Sequence, residues 1–300
     1  MEPKWEVLIA NAAKSIGEGP HWEEKSESLL YVDIYDNSCM RWNSKTGEIQ
    51  TRNCGQTVGF IVPKKGNTDE YLLGLGQTIS KLDWQTGNCE EIVRVEDGYS
   101  TRFNDGKCDP LGNLWAGTMG FETGPATVEP GLGSLYRLDK ECKLRKEIGK
   151  ISISNGLAWT IDLKTMFYID STPKELYAFD YDKESGNISN QRTVIKFDDA
   201  MGSPDGMTID RNGYLWIAFY GSYQVIQFDP IKAKIVQSVK LPAKHITSCC
   251  FGGEDYSELY VTCARHNYTA KDMEKEPLAG SVFRITNTGS KGMPQNSYPG

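Results

Sequence analysis

The sequence predicts an all-β fold, a six-bladed β-propeller whose ring closes when its N-terminal strand pairs with the last blade. Three observations predict it. A strand with a bulky anchor recurs at Tyr31, Leu72, Trp115, Phe167, Trp216 and Tyr260, at intervals of 41 to 52 residues. Short strands recurring about every 40–50 residues mark a propeller. Most anchor strands lead to a further strand ending in Gly- or Pro-bearing punctuation, as at Thr46-Gly47, Thr86-Gly87 and Asp229-Pro230, which is hairpin chemistry. No segment sustains the i, i+3, i+4 apolar pattern of an amphipathic helix.

The elements follow in order. Trp5–Ile9 precedes the first full unit and has no partner within it. The units then open on Glu18–Trp22, Val58–Ile61, Phe103–Lys107, Ser154–Ala158, Pro204–Thr208 and Ile246–Cys249. Each opening strand precedes an anchor strand, and in a propeller this position lines the central channel. The last unit stops at Ser281–Thr286, before a Gly/Ser/Pro-rich tail, and is one strand short. Pairing Trp5–Ile9 with it removes two open edges at once. Residues 1–300 show no composition shift or linker, so a single domain is expected.

Composition narrows the partners. Of 300 residues, 39% are hydrophobic and 24% charged, and the formal net charge is −7. That balance disfavours nucleic acid and anionic membranes, which need a basic footprint. Lys64-Lys65 and Lys271–Lys275 read as solvated loop charges. The eight cysteines are scattered without a C-x-x-C, as expected of reduced thiols. No long apolar run with a basic flank opens the chain, so a cytoplasmic location is expected.

The chemistry lies where the opening strands begin. Glu18, Asn104, Asn155 and Asp205 stand 11 to 13 residues before the anchors Tyr31, Trp115, Phe167 and Trp216. Four units thus bring a carboxylate or carboxamide to one end of the channel. Gly follows three of them, and Asp105-Gly106 follows Asn104, which permits the close backbone approach of a crowded cluster. Asn-Gly and Asp-Gly also form ordinary hairpin turns. Repetition at matched phase favours a ligand cluster, and Glu18 is not a turn former. Oxygen ligands with only three histidines in the chain point to a hard cation.

At these residues the chain resembles the regucalcin (senescence marker protein)/gluconolactonase family, which includes luciferin-regenerating enzyme. The pieces are GEGPHW, RFNDGKCDPLGNLWAGTM, SNGLAW, FDYDKESGNISNQR, PDGMTID, LWIAFY and TSCCFGG followed by ELYVTCAR. They span nearly the whole chain in order. The resemblance implies one divalent metal ion (Ca²⁺, Zn²⁺, Mn²⁺ or Mg²⁺) held by Glu18, Asn155 and Asp205. It implies substrate contacts by Arg102, Asn104 and Glu122, the last in the loop Phe121–Gly131, and hydrolysis of sugar lactones such as gluconolactone. Asp205 is then the catalytic base as well as a ligand. The expected partner is a small-molecule lactone substrate, with no nucleic acid and no membrane, and the protein is expected to be a monomer. The alternatives are a non-catalytic calcium-binding or regulatory protein, a luciferin-regenerating type of enzyme, or a phosphotriesterase-type hydrolase on the same site.

Overall fold

The turn at Asp109–Asn113 folds around its own first side chain. Asp109 Oδ1 accepts the backbone N–H groups of Leu111 and Asn113, each at 2.9 Å, and Oδ2 accepts the Trp115 indole N–H at 2.9 Å. Asp210 repeats the device. Its Oδ1 takes the N–H groups of Asn212 and Tyr214, and its Oδ2 takes the Trp216 indole at 3.1 Å. Both carboxylates are fully buried, so each must be satisfied internally. The recurring Asp-to-Trp spacing thereby locks a turn to the anchor strand that follows it.

The computed structural model describes residues 2–124 and 127–300. It is all-β. Four-stranded antiparallel sheets open on Gly17–Glu23, Val58–Pro63, Thr101–Cys108 and Ser154–Trp159. An eight-stranded sheet holds two further runs. One goes from Ser203–Ile209 to Lys234–Lys240; the other starts at His245–Gly252 and ends on Lys4–Ile9. The two runs are joined through the pair Tyr220–His245. Each opening strand packs against the next in order, and His245–Gly252 returns to Gly17–Glu23, a cyclic, propeller-like arrangement. The anchor side chains are buried between sheets, with Tyr31, Trp115 and Trp216 wholly inaccessible.

Lys4–Ile9 pairs antiparallel with Val282–Thr286, placing Trp5 opposite Ile285 and Val7 opposite Phe283. The Trp5 ring meets Phe283 edge-on at 5.9 Å, and Ile9 is buried in the adjoining core. The first and last strands therefore share one sheet, as the unpartnered Trp5–Ile9 segment requires.

Three features depart from the sequence reading. Lys271–Lys275 is not a loop but part of a short helix, Ala270–Lys275, held by a reciprocal capping box between Thr269 and Asp272. The Phe121–Gly131 loop contains a small hairpin, Glu122–Gly124 against Thr127–Val128. The tail is a docked strap. Gln295 Oε1 accepts the Trp22 N–H at 2.8 Å, the Asn296 amide donates to Cys108 O, and Ser290 donates to Asp210. Tyr298 is buried, donating its hydroxyl to Asp139 O at 2.6 Å and its N–H to Pro63 O. This strap crosses the far ends of several opening strands. No helix among the described residues is long and apolar enough to cross a membrane.

Candidate active site

The six opening strands share one irregularity. In each, the pairing with its anchor strand shifts register, between Glu18 and His21, Val58 and Ile61, Phe103 and Asp105, Asn155 and Leu157, Pro204 and Met207, and Ile246 and Ser248. Such bulges re-aim side chains out of the ladder. Glu18, Asn104, Asn155 and Asp205 all lie at these shifts. Glycine is needed beside them because adjacent strands nearly touch: a Cβ on Gly206 would stand 2.0 Å from Ser248 Oγ. Gly19 is needed for a second reason, its φ of +55°.

Glu18, Arg102, Asn104, Glu122, Asn155 and Asp205 line a single cavity of about 270 Å³. Every residue assigned to the site from sequence is therefore present in it. Ile16, Ile34, Met119 and Ile153 supply apolar walls, and Tyr220, Ser171 and Thr247 add polar edges. Glu18, Arg102, Asn104 and Asn155 are buried.

A hydrogen-bond chain joins Arg102 to the oxygen cluster. Arg102 Nη1 donates to Asn104 Oδ1 at 2.7 Å; Asn104 Nδ2 donates to Asn155 Oδ1 at 3.1 Å and to Ser154 O at 2.9 Å. Asn155 Nδ2 donates to Ser171 Oγ at 2.8 Å, and that hydroxyl donates to Pro204 O at 2.6 Å. Each amide is thus fixed in orientation by both of its ends. Arg102 Nε is buried with no hydrogen-bond partner among the described residues.

The carboxyl groups carry the electrostatic signature. Burial, together with the Asp105 carboxylate, pushes Glu18 up to about 8, against the opposing Gly19 N–H bond. Burial, then Glu18 and Asp105, holds Asp205 well above the usual carboxylate range. Asp105 is raised by burial against the pull of Lys107. Carboxyl groups crowded in a low-dielectric site hold protons unless a cation replaces them. Glu18, Asn155 and Asp205 offer hard oxygen donors, and this set fits a divalent cation of the Ca²⁺, Mg²⁺, Mn²⁺ or Zn²⁺ kind. Among the described residues no group of three or more His, Cys, Asp and Glu is arranged to hold a metal.

Glu122 stands at the rim, with His266 Nε2 3.9 Å from its Oε2. His266 stacks on Tyr35 at 4.5 Å, and the Arg102 guanidinium lies 5.3 Å from the centre of the Tyr35 ring. Tyr35, His266, Tyr220, Ser171 and the electrostatic role of Asp105 were not apparent from sequence. Only Asp105 had a signal, its place between Asn104 and Gly106. The others are brought in by the end of one anchor strand (Tyr220) and by links elsewhere along the chain (Tyr35, Ser171 and His266).

The comparisons accord with this geometry. A family model described as SMP-30/Gluconolactonase/LRE-like region matches residues 16–265. Regucalcin of Danio rerio is 42% identical over 292 residues, covering 97% of each chain. Regucalcin of Homo sapiens is 42% identical over 285 residues, covering 95% of each. A solved luciferin-regenerating enzyme superposes with a TM-score of 0.91 at 35% identity, covering 99% of this chain and 100% of that one. A structure from Agrobacterium tumefaciens described as a calcium-binding protein, regucalcin, gives 0.89 at 25% identity, covering 97% and 96%.

Proposed function

Since the chain belongs to the SMP-30/gluconolactonase/LRE-like family, we propose that it is a metal-dependent hydrolase of sugar lactones. The observation that carries this reading is the joining of an oxygen cluster to a cationic clamp within one buried cavity. On this reading the sheets are six blades, the eight-stranded sheet counting as two joined at Tyr220–His245. The protein works as a cytoplasmic monomer on a small molecule.

The reaction adds water across a ring ester. The Asp205 carboxylate accepts a proton from water as the water oxygen bonds to the carbonyl carbon. Negative charge gathers on the former carbonyl oxygen. Its return breaks the bond from carbon to ring oxygen, and the proton on Asp205 passes to that leaving oxygen, giving the open hydroxy acid. General base action of this kind contributes about 10²–10⁴-fold. A divalent cation held by Glu18, Asn155 and Asp205 would supply Lewis-acid stabilisation of the oxyanion and the counter-charge that keeps Asp205 ionised. Arg102 and Asn104 orient substrate hydroxyls, and Glu122 accepts from hydroxyls at the rim. The apolar walls exclude bulk water, which strengthens each of these interactions.

A second reading is a calcium-binding protein without turnover. It is favoured by the description of the Agrobacterium relative as calcium-binding, and by a ligand set that would hold a cation with or without substrate. A panel of sugar lactones assayed with each of several divalent cations separates the two: acid release supports the hydrolase, and cation binding without acid release supports the alternative.

A further inference from the structure

The links between the second and third strands of each run all lie at the cavity end. Four of them are short, residues 34–37, 76–77, 171–174 and 221–223. Two are long, residues 121–132 and 265–281. The fold needs neither length, because the short links make the same connection, and long links in compact proteins are usually functional. The two meet over the cavity mouth, where Glu122 faces His266 at 3.9 Å.

Between the second long link and the ring runs an outer cleft of about 380 Å³. It shares Glu122 and Tyr220 with the inner cavity, so the two spaces adjoin. Its floor is aromatic: Tyr220 stacks on His245 at 4.1 Å, and Tyr268 meets the same imidazole edge-on at 5.6 Å. Its wall is polar and comes from the Ala270–Lys275 helix. Glu276, just beyond that helix, fixes the wall by accepting from the Tyr223 and Tyr268 hydroxyls and the Lys244 N–H. Lys244 and Lys275 add exposed donors on the lining.

Ring faces beside fixed hydrogen-bonding groups suit a sugar ring, which has an apolar C–H face and a polar hydroxyl edge. We propose that this cleft is a subsite for a second sugar ring, so that the protein accepts disaccharide lactones as well as single-ring ones. The proposal rests on the reading of the inner cavity as a sugar-lactone site. The inner cavity takes the lactone ring, and the outer cleft takes the sugar attached to it, passing between Glu122 and Tyr220.

Non-reacting polyols test it without depending on turnover. Calorimetry of the full-length protein with Ca²⁺ compares glucitol, which has one sugar unit, with maltitol, which adds a glucose ring. Maltitol should bind about tenfold more tightly, a difference of about 1.4 kcal/mol. Tyr268→Ala should remove the advantage and leave glucitol binding and gluconolactone turnover unchanged. Lys275→Ala, on an exposed helix position, should reduce it about threefold with no risk to folding. Equal affinities in the unaltered protein, or an advantage untouched by both substitutions, would overturn the subsite. So would tight binding of a planar aromatic glycoside aglycone with none of maltitol. If the maltitol advantage holds and no lactone is hydrolysed, the hydrolase reading fails and the subsite stands; turnover without the advantage gives the reverse.

Discussion

Asn104 Nδ2 donates to Asn155 Oδ1 at 3.1 Å, across two sheets and 51 residues of chain. On the proposed function this bond couples the substrate contacts to the residues that would hold a cation, because the Oδ1 of the same Asn104 accepts from Arg102. An oxygen aimed at a cation must be held from behind, and outer partners of ligands typically matter by about 10–100-fold in affinity.

Asn104→Ala should therefore do more than remove a substrate contact. Cation affinity should fall about tenfold, although Asn104 is not itself assigned as a ligand, and KM for lactone should rise. Calorimetric titration of the cation beside steady-state kinetics checks both. Unchanged cation affinity would confine Asn104 to the substrate side.

Removal of residues 2–10 should cost the whole ring and not only its edge. The deletion strips the partner of Val282–Thr286, exposes the Phe283 edge and empties the Ile9 position. A loss of several kcal/mol corresponds to a melting temperature lower by about 10 °C in a protein of this size, with one cooperative transition. An unchanged melting temperature would show that the closing strand is dispensable.

Tyr298→Ala tests the docked tail. A buried aromatic ring and its hydroxyl bond to Asp139 O are at stake, and truncations of this kind cost about 3–5 kcal/mol. Tyr298→Phe should cost about 1 kcal/mol, the loss of its hydroxyl bond. Urea denaturation of both variants gives the comparison, and near-equal stabilities would mean that the tail contributes nothing.

These elements divide by what the sequence could carry. The anchor strands and the polar residues before them were legible because local pattern and spacing decide both. The unpartnered Trp5–Ile9 segment was legible because a short last unit demands a partner. The Ala270–Lys275 helix was not, since its cap depends on Thr269 and Asp272 and one and a half turns are too short for periodicity. The tail was not, because turn-forming composition says nothing of where a segment docks. The Arg102–Tyr35–His266–Glu122 rim was not, because stacking among residues from three distant links leaves no local mark.

His21 gives a pH signature. Burial, assisted by Lys107, lowers its imidazole from the ordinary 6.5 to about 3. Between those values the unfolded chain binds a proton at His21 that the folded protein refuses. Acid therefore favours unfolding through this residue, by up to about 1.4 kcal/mol per pH unit. The stability that neutral His21 contributes is complete above about pH 6.5 and declines as pH falls towards 3. Relative to His21→Gln, the unaltered protein should lose stability over that window, measured by urea denaturation at pH 7.5, 6 and 5. A constant difference across the three values would remove His21 from the acid response.

The central claim is that Asp205 takes the water proton in a cavity that a cation makes competent. It is tested most directly by acid release from gluconolactone, with chelator-treated protein titrated with Ca²⁺, Zn²⁺, Mn²⁺ or Mg²⁺ and Asp205→Asn assayed beside it. The carboxamide keeps an oxygen toward the cation and cannot accept the proton. The expected result is turnover restored by at least one cation in the unaltered protein, and lowered about 10²-fold or more in Asp205→Asn with some cation binding retained. Full turnover by the chelator-treated protein, or undiminished turnover in Asp205→Asn, would contradict it.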